Sequence, residues 1–146
     1  MSDALECIHD HSLYAGAAVD LLATLGDASI DAVVTDPPYG MRGKGADIGG
    51  RANNPLRLEW DADMPLDYLP DMVRVMKPGA AAIVFVDQRR IHAMWSAMEE
   101  AGLAPKACFY YMKTNPVPNP RKNFMSGVEV AVFARKPGPV HRWNAG

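Results

Sequence analysis

The sequence predicts an α/β domain in which parallel strands are flanked by helices and an antiparallel strand pair forms the C-terminal edge. Three observations carry that expectation. Short continuous apolar runs, Ala32 to Val34 and Ala80 to Val86, have the pattern of strands buried on both faces of a parallel sheet. Between and around them lie segments whose apolar residues recur at helical spacing. Beyond residue 107 two further apolar runs follow each other with only a proline-rich loop between them. A parallel return would need a longer crossover, so these two strands are expected to pair antiparallel.

The chain has 146 residues, enough for one domain over 1–146 with a sizeable core. No apolar run approaches the roughly eighteen residues needed to span a membrane. The N-terminus has neither the basic start nor the apolar segment of a secretion signal. Two cysteines, Cys7 and Cys108, make no disulfide framework, so a cytoplasmic location is expected. Cys7-Ile8-His9-Asp10-His11 gathers metal-binding residue types, but its spacing fits no standard zinc pattern and no metal site is assigned. Charge is unevenly spread: residues 102–146 hold 7 Lys/Arg against the single acid Glu129, while the whole chain has 15 Lys/Arg and 17 Asp/Glu. Such asymmetry is a hint of phosphate contact, and equally the mark of a basic surface tail.

Taken in order, residues 1–12 read as a polar lead-in, and Leu13 to Ala15 as a short strand ended by Gly16. Ala18, Leu21, Leu22 and Leu25 then form one apolar helical stripe, with Gly26 capping its end and 27–31 turning into the strand of Val33 and Val34. A glycine-rich stretch follows, expected to be a mobile loop over 40–62. Its Gly43-Lys44-Gly45 lacks the ending and the crossover of a phosphate loop. Leu66, Leu69, Met72, Val73 and Met76 stripe a second helix, with Pro65 in its first turn and Lys77-Pro78-Gly79 at its end. Ala80 to Val86 is the next strand. Asp87 at its end either faces the same crevice as Asp36 or caps the following helix, and capping is the favoured reading. Ile91, Met94, Trp95 and Met98 stripe the third helix, and Gly102 follows its last turn. Strands over 107–112 and 128–134 flank a loop from Lys113 to Asn123, and 137–146 reads as an exit tail.

The chemistry concentrates where the first apolar run stops, at Asp36-Pro37-Pro38-Tyr39. Neither proline donates to a ladder, and Pro38 holds Pro37 extended. A carboxylate, stiff carbonyls and an aromatic ring therefore sit past a strand's carboxyl end, where open α/β sheets bind ligands. The exocyclic amine of adenine or cytosine is a poor nucleophile because its lone pair is delocalised into the ring. Two acceptors on its hydrogens, the Asp36 carboxylate and the Pro37 carbonyl, would favour the tetrahedral nitrogen that attacks a methyl group. Tyr39 would offer a face on which an extruded base stacks, worth about 1–3 kcal/mol.

Asp36-Pro37-Pro38-Tyr39 resembles the catalytic motif of S-adenosylmethionine-dependent DNA amino-methyltransferases, which modify adenine at N(6) or cytosine at N(4). The run from Lys113 through Glu129 is similar to the family's Lys-x-Asn, proline, Phe and Glu pattern, with Tyr111 where the family usually has Trp. The resemblance covers about residues 13–136 and implies a partial Rossmann-like class I methyltransferase sheet. It implies S-adenosylmethionine as cofactor, with Asp36 beside it, and DNA as partner. Asp36, Pro37, Pro38 and Tyr39 are the implied catalytic residues; Tyr39, Lys113, Arg121 and Lys122 are candidate nucleic-acid contacts. A solvated loop is the alternative for the three cations. In the family's permuted order the catalytic motif comes first and a glycine-rich Asp-Pro-Phe-x-Gly-x-Gly cofactor motif last; the sequence contains no such segment. Ala17 stands where the family usually carries an Asp of a Gly-Asp pair.

The expectation is therefore a site-specific DNA methyltransferase, acting on a flipped adenine in preference to cytosine, present as a catalytic-half fragment or shortened form. An apolar strand of this kind left at a sheet edge is a pairing liability. A complementary polypeptide half, or self-association through that edge, follows as an expected partner. The alternative is a catalytically inactive remnant that serves as a DNA-binding module. A methyltransferase of the same fold acting on RNA or a protein amide ranks third, because those usually place the cofactor motif first.

Overall fold

The structure, a computed structural model, describes residues 4–8, 11–39, 64–117 and 126–139. The loop expected over 40–62, the two cations Arg121 and Lys122, and the tail from residue 140 lie outside them.

The polar lead-in turns out to hold a strand. β1 (Ala4–Ile8) pairs antiparallel with β2 (His11–Tyr14), Ile8 opposite His11 and Cys7 opposite Ser12. Glu6, His11 and Ser12 interrupt any apolar run there, so the pairing left no hydrophobic signature. α1 (Ala18–Thr24) ends as its apolar stripe predicts, although the left-handed residue in the following turn is Ala28, not Gly26.

β3 (Ile30–Thr35), β4 (Met76–Val86), β5 (Ala104–Val117) and β6 (Ser126–Arg135) form one sheet in the order β3-β4-β6-β5. β3 runs parallel to β4, and β6 runs antiparallel to both β4 and β5, as the missing crossover requires. α2 (Leu69–Val75) makes the connection from β3 to β4, and α3 (Ile91–Glu100) leads from β4 to β5.

α2 is shorter than its stripe. It starts at Leu69 with Pro70 in the first turn, not at Pro65. It stops at Val75 because Met76, although in phase with the helix, pairs with Ile30 and opens β4. Lys77-Pro78-Gly79 thus belongs to the strand. α3 closes with a Schellman turn: Leu103 N–H donates to the carbonyl of Met98 at 2.9 Å and Gly102 N–H to that of Glu99 at 3.0 Å. β5 continues through Val117, five residues beyond the expected strand.

One core lies under one face of the sheet. Alternate residues of β4 (Ala80, Ala82, Val84, Val86) and β6 (Val132, Ala134) bury against Leu69 and Met72 of α2 and Met94 and Met98 of α3, with Val19 and Leu22 of α1 packed alongside. The strand of Val33 and Val34 was expected to be buried on both faces, and this is corrected. Val33 packs on the core, whereas Val34 points to the other face and is 68% exposed. All three helices join the same buried cluster, and β3 is an edge of the sheet, so among the described residues no helix covers that second face. Among the described residues no helix is long and apolar enough to cross a membrane.

Candidate active site

The strand directions bring the carboxyl ends of β3, β4 and β5 to one edge of the sheet, together with the start of β6. Asp36-Pro37-Pro38-Tyr39 leaves β3 at that edge. The two prolines stop ladder formation there, so the strand ends at Thr35 and the next four residues lie outside any regular element. Asp36 is exposed, while Pro37, Pro38 and Tyr39 are partly buried.

The Tyr39 hydroxyl donates a hydrogen bond to Oδ1 of Asp36. The phenol is held well above its ordinary pKa, first by burial, then by this bond, then by the charges of Asp36, Glu129 and Asp87. It is therefore a neutral donor throughout the physiological range. Three carboxylates from three elements thus act on one ring: Asp36 after β3, Asp87 after β4 and Glu129 in β6.

Two of those carboxylates have cationic partners. Asp87 caps the 3-10 turn Gln88–Arg90, accepting from Arg89 N–H at 2.8 Å, and takes two bonds from the Arg89 guanidinium at 2.8 and 3.0 Å. These bonds, led by the Arg89 side chain, hold its carboxyl below the usual carboxylate range. Capping and proximity to the crevice are thus both realised. Glu129 forms an ion pair with Lys113 across the β5–β6 ladder, a diagonal contact two residues along β5 from Tyr111, which stands opposite Glu129. Lys113, a candidate nucleic-acid contact, spends its charge at least partly on that carboxylate.

Asp36 and Tyr39 are thus adjacent as the motif predicts, and Lys113 reaches the same edge. The sequence offered Asp87 as a neighbour of the Asp36 crevice, and the parallel pairing of β3 with β4 puts it there. It did not show that Glu129 acts on the Tyr39 ring, because that depends on β6 lying beside β4, which no spacing along the chain reveals. Among the described residues no cluster of three or more His, Cys, Asp or Glu could hold a metal ion.

A family model described as DNA methylase, N6_N4_Mtase, matches residues 30–145. The type II methyltransferase M.HpaI of Haemophilus parainfluenzae is 29% identical over 91 residues, covering 62% of this chain and 28% of its own. Among solved structures, the PvuII DNA methyltransferase (cytosine-N4-specific) aligns with a TM-score of 0.60 at 17% identity, over 86% of this chain and 50% of that one. The M1.HpyAVI–SAM complex aligns with a TM-score of 0.54 at 24% identity, over 80% and 46%. At those identities the structures establish the shared α/β fold. The chain spans little more than a quarter of the length of M.HpaI and about half that of the two structures. By the family match, which takes in the Asp36–Tyr39 corner and the whole four-stranded sheet, this chain belongs to the N6/N4 DNA methylase family.

Proposed function

We propose that this chain carries the amine-gripping site of a DNA methyltransferase that moves a methyl group from S-adenosylmethionine to the exocyclic amine of a flipped adenine, in preference to cytosine. The observation that carries this is the exposed Asp36 carboxylate beside the partly buried Tyr39 ring, on a proline-stiffened corner at the carboxyl end of β3. Asp36 and the Pro37 carbonyl accept the two amine hydrogens, so the nitrogen lone pair turns out of the ring plane. Pro38 keeps the corner from relaxing. Tyr39 stacks on the extruded base.

The residues present suit the reactive end of the methyl donor. A carboxylate stands exposed at the strand end, where a cationic sulfonium would be favoured. The donor supplies an electrophilic methyl. On this reading the amine nitrogen would form the new N–C bond as the methyl leaves sulfur with its bonding pair behind, and the surplus proton would pass from nitrogen to the Asp36 carboxylate that holds it. Lys113, Arg121 and Lys122 are the proposed phosphate contacts of the basic C-terminal part. The unpaired side of β3 is the proposed site for further polypeptide, a complementary half or a second copy.

Asp36→Ala tests the assignment. Methyl transfer to unmethylated DNA, read by mass spectrometry of the nucleosides, should fall by about 10²–10³-fold, with DNA binding retained. Equal loss of both would make Asp36 structural. Ala17, standing where the resembled family carries an Asp, favours a second reading as a non-catalytic DNA-binding remnant. Calorimetric titration with S-adenosylmethionine separates the two: heat of binding supports the enzyme, and its absence supports the remnant.

A further inference from the structure

We propose that the Tyr39 hydroxyl is a positioning group that holds Oδ1 of Asp36, fixes the rotation of that carboxylate and reserves Oδ2 for the substrate amine. The inference rests on the proposed function and deepens it, because the family motif by itself asks only for an aromatic face at this position.

The geometry argues as follows. An exposed Asp turns freely about its terminal torsion, whose wells are broad. Asp36 is exposed, and among the described residues the Tyr39 hydroxyl is its hydrogen-bond partner. The prolines between them remove most backbone freedom from the three-residue loop that the bond closes. Tyr39 is itself partly buried, so the ring is the fixed member and the carboxylate the one that is oriented.

The same bond sets the register of stacking. It brings the phenol end of the ring against Asp36. A base stacked on that ring lies about 3.5–4 Å away, the contact distance of carbon atoms. Its amino substituent, aligned with the hydroxyl, then comes within reach of the second oxygen of the same carboxylate. Hydroxyl and amine thus take one oxygen each, side by side. Burial first, then the bond to Asp36 and the charges of Asp36, Glu129 and Asp87, keep the phenol protonated, so it remains a donor. Lys113 and Arg89, paired with those two acids, limit the total negative charge around the ring.

Two measurements test this. The first is the tyrosine absorbance titration of the wild-type chain beside Asp36→Ala. Removing the carboxylate should move one of the five phenols of the sequence to lower pH; an unchanged titration means the bond is absent and overturns the proposal. The second is the kinetics of Tyr39→Phe, which keeps the ring and removes the hydroxyl. We expect kcat to fall about ten- to a hundredfold with KM for DNA nearly unchanged, whereas Tyr39→Ala raises KM as well. A kcat equal to or above that of the wild type overturns positioning and makes the bond a block on the site. Absence of methyl transfer by the wild type would instead refute the proposed function, while the absorbance titration still decides whether the bond exists.

Discussion

Arg74 and Asp27 form an ion pair, Nη1 to Oδ1 at 2.6 Å, that ties α2 to the turn between α1 and β3. The same guanidinium donates to the carbonyls of Leu25 at 2.9 Å and Leu22 at 2.8 Å at the end of α1, the Leu22 carbonyl also accepting from Leu25 N–H. Its Nε donates to Asp71 within α2 at 2.9 Å. Behind it, Ala28 N–H donates to the Arg74 carbonyl and Ser29 N–H to that of Val75. Since β3 delivers Asp36, this clamp sets where the Asp36–Tyr39 corner begins.

The carbonyl bonds should matter more than the ion pair, because Asp27 is 78% exposed and surface pairs contribute little. Arg74→Met is therefore expected to lower the thermal midpoint by several degrees and to speed amide exchange over 22–29. Asp27→Ala should shift the midpoint far less. Equal effects of the two substitutions would mean that the ion pair, not the carbonyl bonds, holds the turn.

Two glycines separate backbone strain from collision. Gly102 has φ +94°, and a Cβ there would meet nothing within 4 Å. Gly102→Ala should cost about 1–2 kcal/mol, the penalty of the left-handed conformation alone. Gly138 has φ +151°, and its Cβ would lie 2.5 Å from Pro78 Cβ and 2.8 Å from Gly79 N. That approach is locked by Gly79 N–H donating to the Lys136 carbonyl and Lys136 N–H to that of Ala80. Gly138→Ala should therefore cost more than Gly102→Ala in urea unfolding. The reverse order would mean that the start of the exit segment detaches from β4 without consequence.

Much of this arrangement was legible along the chain, for reasons that can be traced to particular residues. Ile91, Met94, Trp95 and Met98 recur at one face and are followed by Gly102, so α3 and its stop were readable. The stretch over 80–86 can bury only as a strand, and Asp36-Pro37-Pro38-Tyr39 is local enough that its cluster needs no tertiary information. What escaped depends on partners. Met76 is in phase with α2, but pairing with Ile30 outweighs one more helical residue. Val34 belongs to an apolar run, yet no run states what will cover it. Glu129 acts on Tyr39 only because β6 inserts between β4 and β5.

Met94 and Val34 make the one-sided burial measurable. Met94 is 0% exposed under the helical layer, so Met94→Ala should cost about 2–5 kcal/mol. Val34 stands on the uncovered face, and Val34→Asp should change the stability of the isolated chain by no more than about 0.5 kcal/mol. A large loss at Val34, accompanied by a smaller sedimentation coefficient, would show that a second copy covers this face in solution.

Tyr68 offers the last test, at alkaline pH. It precedes α2, is 8% exposed in the cluster with Leu69, Met72 and Val84, and among the described residues its hydroxyl has no hydrogen-bond partner. Burial, with a smaller push from the Asp67 charge, raises its phenol to about 12. A raised pKa means that the folded state favours the neutral form. The stability linked to this group is therefore complete below about pH 10, the ordinary phenol value, and is lost as pH climbs through about 12. Two pH units correspond to about 3 kcal/mol at most. Tyr68→Phe removes a hydroxyl that is buried without a partner among the described residues, so stability at pH 7 should hold or rise by about 1–3 kcal/mol. The alkaline loss should shrink in the same variant without vanishing, because Tyr39 is raised as well. Urea unfolding at pH 7 and pH 11 reads both effects. Destabilisation of Tyr68→Phe at pH 7 would show that the hydroxyl has a partner after all.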